Sequence, residues 1–495
     1  MTATSLWLDR PERAPYDSVD VTRRYDTVVV GAGLTGLVTA LLLTRAGQSV
    51  AVLEAREIGA AATGNTTAKI SVLQGTTLSK IASKQPQQQV RRYVEANLAA
   101  QAWLLDYCAS KDIAVQHETA YTYATSRSGE KSVREELRIA RGVGLDVSYC
   151  TEIELPFQIT GAVAVPDQAQ FDPMDALLAL AEDAVNGGAH LTEGLRVRGV
   201  HRGLRHVDVT TDRGSVRAAR VVLATGSPIL DRGGYFARME PLRSYAAAYD
   251  VPGAVPRGMY LSADSPSRSI RYAPTPDGDL LLVGGNGHTV GREASPMSDV
   301  RDLDDWTERH FPGATRTHRW SAQDYESLDA LPYAGPLLPG DDRILVATGY
   351  DKWGMTNAVA AAMVVEKKIV GGSLAWSSAY DTYRLRQLAG VFSALRMNAG
   401  VAFELTKGWA APLVSQRAPT PAEGQGHVRR GILPTAVCTV GGTTHTVSAV
   451  CPHLGGIVAW NDAEKSWDCP LHGSRFAADG TVLEGPVTSN LKQVD

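Results

Sequence analysis

Three observations predict an α/β fold that ends in a small all-β module. A β-branched run near the N-terminus leads into a glycine-rich turn and an apolar helix. Strand-like and helix-like stretches then alternate as far as about residue 375. Past about residue 425, short strand-like runs flank two loops that each carry Cys-Pro, a histidine and a glycine. The 495 residues exceed what one core holds, so two to four domains are expected. A net charge of −4 argues against nucleic acid as a partner.

The first strand is Tyr25-Asp26-Thr27-Val28-Val29-Val30, whose apolar half suits a buried parallel sheet. It enters Gly31-Ala32-Gly33-Leu34-Thr35-Gly36, and Leu37–Ala46 continues as helix. Strand, G-x-G-x-x-G and helix in that order make a Rossmann-like dinucleotide site. Gly31 permits the tight turn, Gly33 lets a pyrophosphate approach the backbone, and Gly36 lets helix and strand pack closely. The helix start at Leu34 and Thr35 offers free N–H groups to phosphate. Ser49–Leu53 forms the second strand and ends at Glu54-Ala55, with Glu54 eighteen residues past Gly36. Its carboxylate suits ribose hydroxyls and disfavours a 2′-phosphate. The same stretch mimics a membrane span after Arg23-Arg24, but Asp26 and the three glycines contradict that. No transmembrane segment and a cytoplasmic location are expected, and the scattered Cys108, Cys150 and Cys438 agree with a reducing compartment.

The fingerprint alone leaves NAD and FAD open. Three later segments favour FAD: the small-residue loop Gly64–Lys69, the strand Arg220–Leu223 with Ala224-Thr225-Gly226, and Ile344–Ala347 with Thr348-Gly349-Tyr350-Asp351-Lys352-Trp353-Gly354-Met355-Thr356-Asn357. No second G-x-G-x-x-G announces a nicotinamide domain. On these segments the chain resembles the D-amino-acid-oxidase-like family of FAD oxidoreductases. The resemblance implies FAD contacts at Thr66, Thr67, Ala68, Val197, Thr225, Gly226, Trp353, Gly354, Met355 and Thr356, beside those of the fingerprint. Trp353 and Met355 also suit simple core packing. Some relatives tether their flavin to a cysteine before the late glycine loop. Tyr325–Tyr333 contains none, so FAD is expected to be non-covalent.

The FAD domain is expected to be discontinuous, over 20–100, 155–235 and 325–375, with a mixed-sheet substrate domain from 101–154 and 236–324. The resemblance implies that this second domain roofs the flavin and chooses the substrate. Arg243, Tyr245, Arg271, Tyr272 and His288 are its pocket candidates, with packing or surface roles as the alternative. Tyr245 and His288 are the candidate catalytic bases, and Lys69 is a catalytic candidate if it lies near flavin N5. His201 and His206 lack a suitably placed carboxylate and read as exposed. Residues 376–425 are expected to hold one or two amphipathic helices within Thr382–Phe403, then a linker over Lys407–Gln425.

From about 426 to 495 the chain is organised around Cys451-Pro452-His453-Leu454-Gly455 and, after fifteen intervening residues from the histidine, Cys469-Pro470-Leu471-His472-Gly473. Two thiolates (Cys451, Cys469) on one iron and two imidazoles (His453, His472) on the other can hold a Rieske [2Fe–2S] cluster, which is the expected cofactor here. Replacing anionic thiolates by neutral imidazoles raises the potential from about −400 mV to roughly −150 to +300 mV. A Cys₂His₂ zinc site is the alternative, but zinc fingers want a helical His pair rather than Gly/Pro-rich loops.

An oxidase-like flavoprotein with such a C-terminal module resembles a bacterial family of FAD/Rieske fusion oxidoreductases. Trp7, Thr66–Lys69, Lys352–Asn357, Trp460-Asn461, Trp467–Pro470 and Arg475-Phe476 carry the resemblance. Many relatives bridge the two ligand loops with a disulfide, whereas this chain has Gly456 and Leu471 there. Ser474 could donate to the cluster and Phe476 offers no phenol, so a potential below the respiratory extreme is expected. The resemblance implies hydride transfer from a C–N bond of a small amine or amino-acid-like substrate to FAD, with single electrons relayed to a partner protein or other one-electron acceptor. Two alternatives stay open: electrons entering through the cluster from a ferredoxin to drive a reductase or monooxygenase reaction, and an electron-transfer link with no substrate of its own.

Overall fold

The computed structural model describes residues 4–384, 391–410, 419–429 and 433–494. Arg24–Val30 occupies the middle of an eight-stranded sheet. Val50–Leu53 and Gly214–Leu223 flank it in parallel, and Ile344–Thr348 lies parallel beyond the latter. The register pairs Val30 with both Leu53 and Leu223, so the strands end level. Gly31, Glu54 and Ala224 therefore collect at one carboxyl edge, where open α/β sheets bind ligands. The helices Leu34–Arg45 and Gly354–Val370 pack on each other, and Pro173–Asn186 packs on the first. Asp172 caps that third helix by accepting from the Met174 N–H at 2.9 Å, with proline in the first turn.

The second sheet has nine strands, with Thr315–Ser327, Met239–Asp250 and Gly278–Thr289 as an antiparallel trio at one side. Alternate residues of Met239–Asp250, namely Leu242, Ser244 and Ala246, face a cavity shared with the first sheet. Two strands expected in the nucleotide domain belong here instead. Gly161–Phe171 pairs with Val115–Ala124, and Lys69–Ile70 pairs with Gln170 and Ala169. Their local sequence does not choose a sheet, and pairing with partners far along the chain decides.

The C-terminal module has a three-stranded sheet (Gly426–Arg429, Thr435–Val440, Thr443–Ser448) and a four-stranded one (Ala459–Asn461, Ser466–Asp468, Arg475–Ala477, Val482–Glu484). Cys438, Val447, Trp467, Phe476 and Val482 share its core. The helix Val391–Ala410 precedes it, so the expected linker starts later than Lys407; 385–390 and 411–418 lie outside the described residues. Among the described residues no helix is long and apolar enough to cross a membrane.

Candidate flavin cavity and cluster site

The glycine turn leaves little latitude. Gly31 has φ +106°, and a Cβ there would lie 2.5 Å from the Ala224 carbonyl oxygen. A Cβ on Gly36 would lie 1.9 Å from the Gly31 oxygen, so helix and turn touch backbone to backbone. The helix Leu34–Arg45 starts at Gly33 without a side-chain cap and opens on a cavity of about 600 Å³. Glu54 Oε2 accepts from the Ala32 N–H at 2.8 Å, and Oε1 accepts from the Arg56 N–H at 2.9 Å. Each carboxylate oxygen keeps a further lone pair for a ribose hydroxyl.

Of the expected FAD contacts, Gly31, Gly33, Leu34, Thr35, Glu54, Ala55, Thr66, Thr67, Val197, Thr225, Gly226, Trp353, Gly354 and Met355 line this cavity. Gly36 lies beneath the turn. Ala68 is buried, and its carbonyl accepts from Arg271 Nη1 at 2.9 Å. Thr356 points away and donates to Asn97 Oδ1 at 2.5 Å. The local motif identified a loop that reaches the cavity but not where the loop turns into buried helix.

The substrate-domain candidates divide. Lys69 lines the cavity, and its Nζ donates to Ser269 Oγ at 2.6 Å and the Tyr260 carbonyl at 3.1 Å. Burial, reinforced by the Arg271 guanidinium, pushes its pKa down to about 7. Tyr245 belongs to the cavity wall, but its ring lies on the opposite strand face from Ser244 and Ala246, stacked on His288, where burial and the nearby Glu464 carboxylate push its phenol pKa up. A phenol held protonated is no base. His288 does not reach the cavity: its Nδ1 sits 3.1 Å from the Asn286 carbonyl and 3.3 Å from Asp299, and its ring stacks on Tyr245. Arg243 points to the C-terminal module, where it meets Glu464 at 3.0 Å and Glu484 at 3.2 Å. Arg271 holds the flavin-side loop by donating to the carbonyls of Thr67 (2.7 Å) and Ala68, and Tyr272 donates to Glu118 at 2.6 Å. These four side chains are structural rather than pocket-lining. Sequence alternation names a strand, not which sheet face meets a cavity.

Lys352 was missed as a site residue. It follows Asp351 at φ +47° and itself has φ +71°, two side-chain-bearing residues in the left-handed region. The Lys352 N–H donates to half-buried Asp324 at 2.6 Å, while Lys80 holds Asp351 and Glu326 at 2.7 Å each. This fastening turns the Lys352 side chain toward the cavity beside Ser244 and Gly287. The lysine is open to the cavity yet surrounded by protein, and that burial lowers its pKa. A charged residue within a glycine-bearing loop was the available signal.

The cluster loops have matching backbones. Gly455 N–H donates to the Cys451 carbonyl at 3.1 Å and Cys451 N–H to that of Gly456 at 2.8 Å. In the other loop Gly473 N–H donates to Cys469 at 3.1 Å, and Cys469 N–H to Ser474 at 2.8 Å. Gly455 and Gly473 take the left-handed turn position, at φ +72° and +75°. The His453 and His472 ring centroids are 5.0 Å apart. Both Nδ1 atoms are buried without a hydrogen-bond partner, orphaned acceptors that two metal bonds would satisfy. Burial, with His453 beside it, holds the His472 pKa at about 4, so its imidazole is neutral and able to ligate. A hydrogen bond with Cys469 pulls the Cys451 pKa down, aided by the His453 N–H and the Ser474 hydroxyl. Among the described residues no three His, Cys, Asp or Glu converge on a single metal position. Two pairs suit a two-iron cluster better than tetrahedral zinc. Where relatives bridge the loops, a Cβ on Gly456 would come within 2.7 Å of Leu471 Cδ1: a glycine–leucine contact fills the space.

The two sites meet at one seam. Gln323 and Tyr325 both line the cavity. Gln323 Nε2 donates at 2.8 Å to the carbonyl of Gly473, the neighbour of His472, and at 2.8 Å to the Tyr325 hydroxyl. Tyr325 in turn donates to the Gly485 carbonyl at 3.1 Å. Asp231 hydrogen-bonds His453 Nε2, and Phe236 sets its ring edge-on to both histidines, 6.0 and 5.3 Å away between centroids.

A two-sheet flavoprotein with an iron–sulfur module docked on its cofactor cavity is the class this architecture defines. Residues 26–367 match the family model of FAD-dependent oxidoreductases (DAO), and 414–495 match that of the Rieske [2Fe-2S] domain. The chain belongs to the DAO family of FAD-dependent oxidoreductases and carries a C-terminal Rieske domain; its cofactors are FAD and a Rieske [2Fe–2S] cluster. Bacillus subtilis YhfW, named as a Rieske 2Fe-2S iron-sulfur protein, is 31% identical over 99% of this chain and 97% of its own length. Cytochrome b6-f complex iron-sulfur subunit 1 of Nostoc is 47% identical over 49 residues, 10% of this chain and 27% of that protein. Glycine oxidase from Geobacillus kaustophilus shares the fold with a TM-score of 0.62 and 21% identity, over 73% of this chain and 99% of that one. L-Amino acid deaminase from Proteus myxofaciens does so with 0.60 and 16%, over 77% and 97%.

Proposed function

We propose that the protein oxidises a C–N bond of a small amine or amino-acid-like substrate and passes the electrons singly through its Rieske centre to an external acceptor. The observation carrying this reading is the Gln323 bridge, which touches the cavity with one side and the His472 loop with the other. Bound FAD supplies two-electron acceptance and the cluster one-electron transfer. This chain's residues then have three tasks. Lys352 offers its ammonium to an anionic group such as a carboxylate. Lys69, with its pKa near 7, can take the proton that an amine must lose before it gives up hydride. Gln323 holds the cluster loop against the cavity wall through Gly473, and Tyr325 holds Gly485 of the same module. Proteins of the same fold are named for glycine, L-proline and L-amino acids, which agrees with this substrate class. A cavity carrying two lysines weighs against a pure electron link.

Anaerobic mixing with a panel of amines and amino acids tests the proposal. The flavin band should bleach first and the cluster become reduced afterwards. Bleaching that occurs only when a reduced ferredoxin is supplied would reverse the direction of flow and sink it.

A further inference from the structure

We propose that the Rieske module supplies part of the FAD-binding site: its segment 482–488 is a strap across the nucleotide end of the cavity. Leu483, Glu484, Gly485, Val487 and Thr488 line the cavity together with Glu54, the ribose candidate. The strap is fastened on both flanks. On the side of the nucleotide sheet, Arg196 donates to the Val482 carbonyl at 3.0 Å, and the Thr488 hydroxyl donates to the Arg198 carbonyl at 3.1 Å. On the side of the second sheet, Tyr325 donates to Gly485, and buried Arg243 pairs with Glu484 and with Glu464. Arg475 joins this knot, 3.0 Å from Glu484 and 3.0 Å from Asp468. Arg475 and Arg243 hold the Glu484 carboxyl down at about 2 despite burial, and hold that of Glu464 below its ordinary value, so both are ionised at neutral pH. Losing one partner would leave buried charge uncompensated, so the strap does not lift alone.

A nucleotide lying against Glu54 is covered by a domain other than the one carrying its glycine turn. FAD binding and module docking are then linked, and the linkage is reciprocal: docking tightens FAD binding, and FAD strengthens docking by the same factor. This rests on the reading that the cavity holds FAD, and the test separates the two.

Full-length wild-type protein is compared with and without FAD, the flavin being stripped under mild chaotropic conditions, by hydrogen–deuterium exchange. Backbone exchange across 482–488 is expected to be at least tenfold slower with FAD bound, while Thr443–Ser448, on the module's other sheet, stays unchanged. In Arg243→Gln, FAD release after dilution, followed by recovery of flavin fluorescence, should be at least tenfold faster with iron content and the cluster's visible spectrum retained. Equal exchange at 482–488 in both states overturns the proposal, as does unchanged release from an iron-replete Arg243→Gln protein. If the variant loses its iron, the wild-type exchange comparison decides. Wild-type protein that binds no FAD would instead overturn the cavity reading.

Discussion

Replacing Lys69 by methionine removes the titrating group that faces the cavity while keeping an unbranched side chain of similar length. Burial lowers the lysine pKa from 10.5 to about 7, so the folded state disfavours the ammonium by on the order of 5 kcal/mol when it is fully protonated. The folded pKa lies below the unfolded one. Between about pH 7 and 10.5 the unfolded chain therefore binds the extra proton, and stability rises with pH across that window. The penalty is fully present below about pH 7. Between pH 7 and 9 the wild type should gain about 2 kcal/mol from this group, and Lys69→Met should lack that gain. Urea unfolding of the flavin-free protein at the two pH values reads the difference. The catalytic counterpart is the pH profile of flavin reduction in anaerobic stopped flow. In the wild type the rate should rise through the Lys69 titration, and Lys69→Met should lose that inflection and slow by about 10²- to 10⁴-fold, the usual contribution of a positioned base. A Lys69→Met profile with the same inflection and rate would show that the proton goes elsewhere.

Three further outcomes follow from the geometry. Cys469→Ser should abolish the cluster's visible absorption and iron content while FAD remains bound, because the cysteine lies outside the cavity lining. Gln323→Leu removes the donors to Gly473 and Tyr325, and should slow cluster reduction after flavin bleaching at least tenfold with bleaching itself little changed; stopped flow at two wavelengths reads both. Asp231→Asn takes a carboxylate from His453 Nε2, lowers the ligand's basicity, and should raise the cluster potential in a redox titration.

The nucleotide turn and the cluster loops were legible because their chemistry is local. Gly31 and Gly36 are demanded by contacts with a neighbouring turn, and each loop bearing a Cys and a His closes its own hydrogen bonds within five residues. Thr356 was misread for a related reason: one residue past a cavity-lining methionine, helical rotation had already turned its hydroxyl inward to Asn97. His288, Arg243 and Tyr272 were misplaced because period-2 alternation identifies a strand but not what lies over each face. Lys352 was hidden by its left-handed backbone, which is set by Asp324 twenty-eight residues earlier in the chain.

What the chain alone established is which cofactors it carries, since turn glycines and paired Cys and His residues encode geometry over a few bonds. That the two centres share a wall came only with the tertiary structure. Gln323 meeting Gly473, Arg243 meeting Glu484 and Asp231 meeting His453 join residues 150 to 241 positions apart. Such contacts arise from the packing of whole sheets, and no local periodicity carries a trace of them.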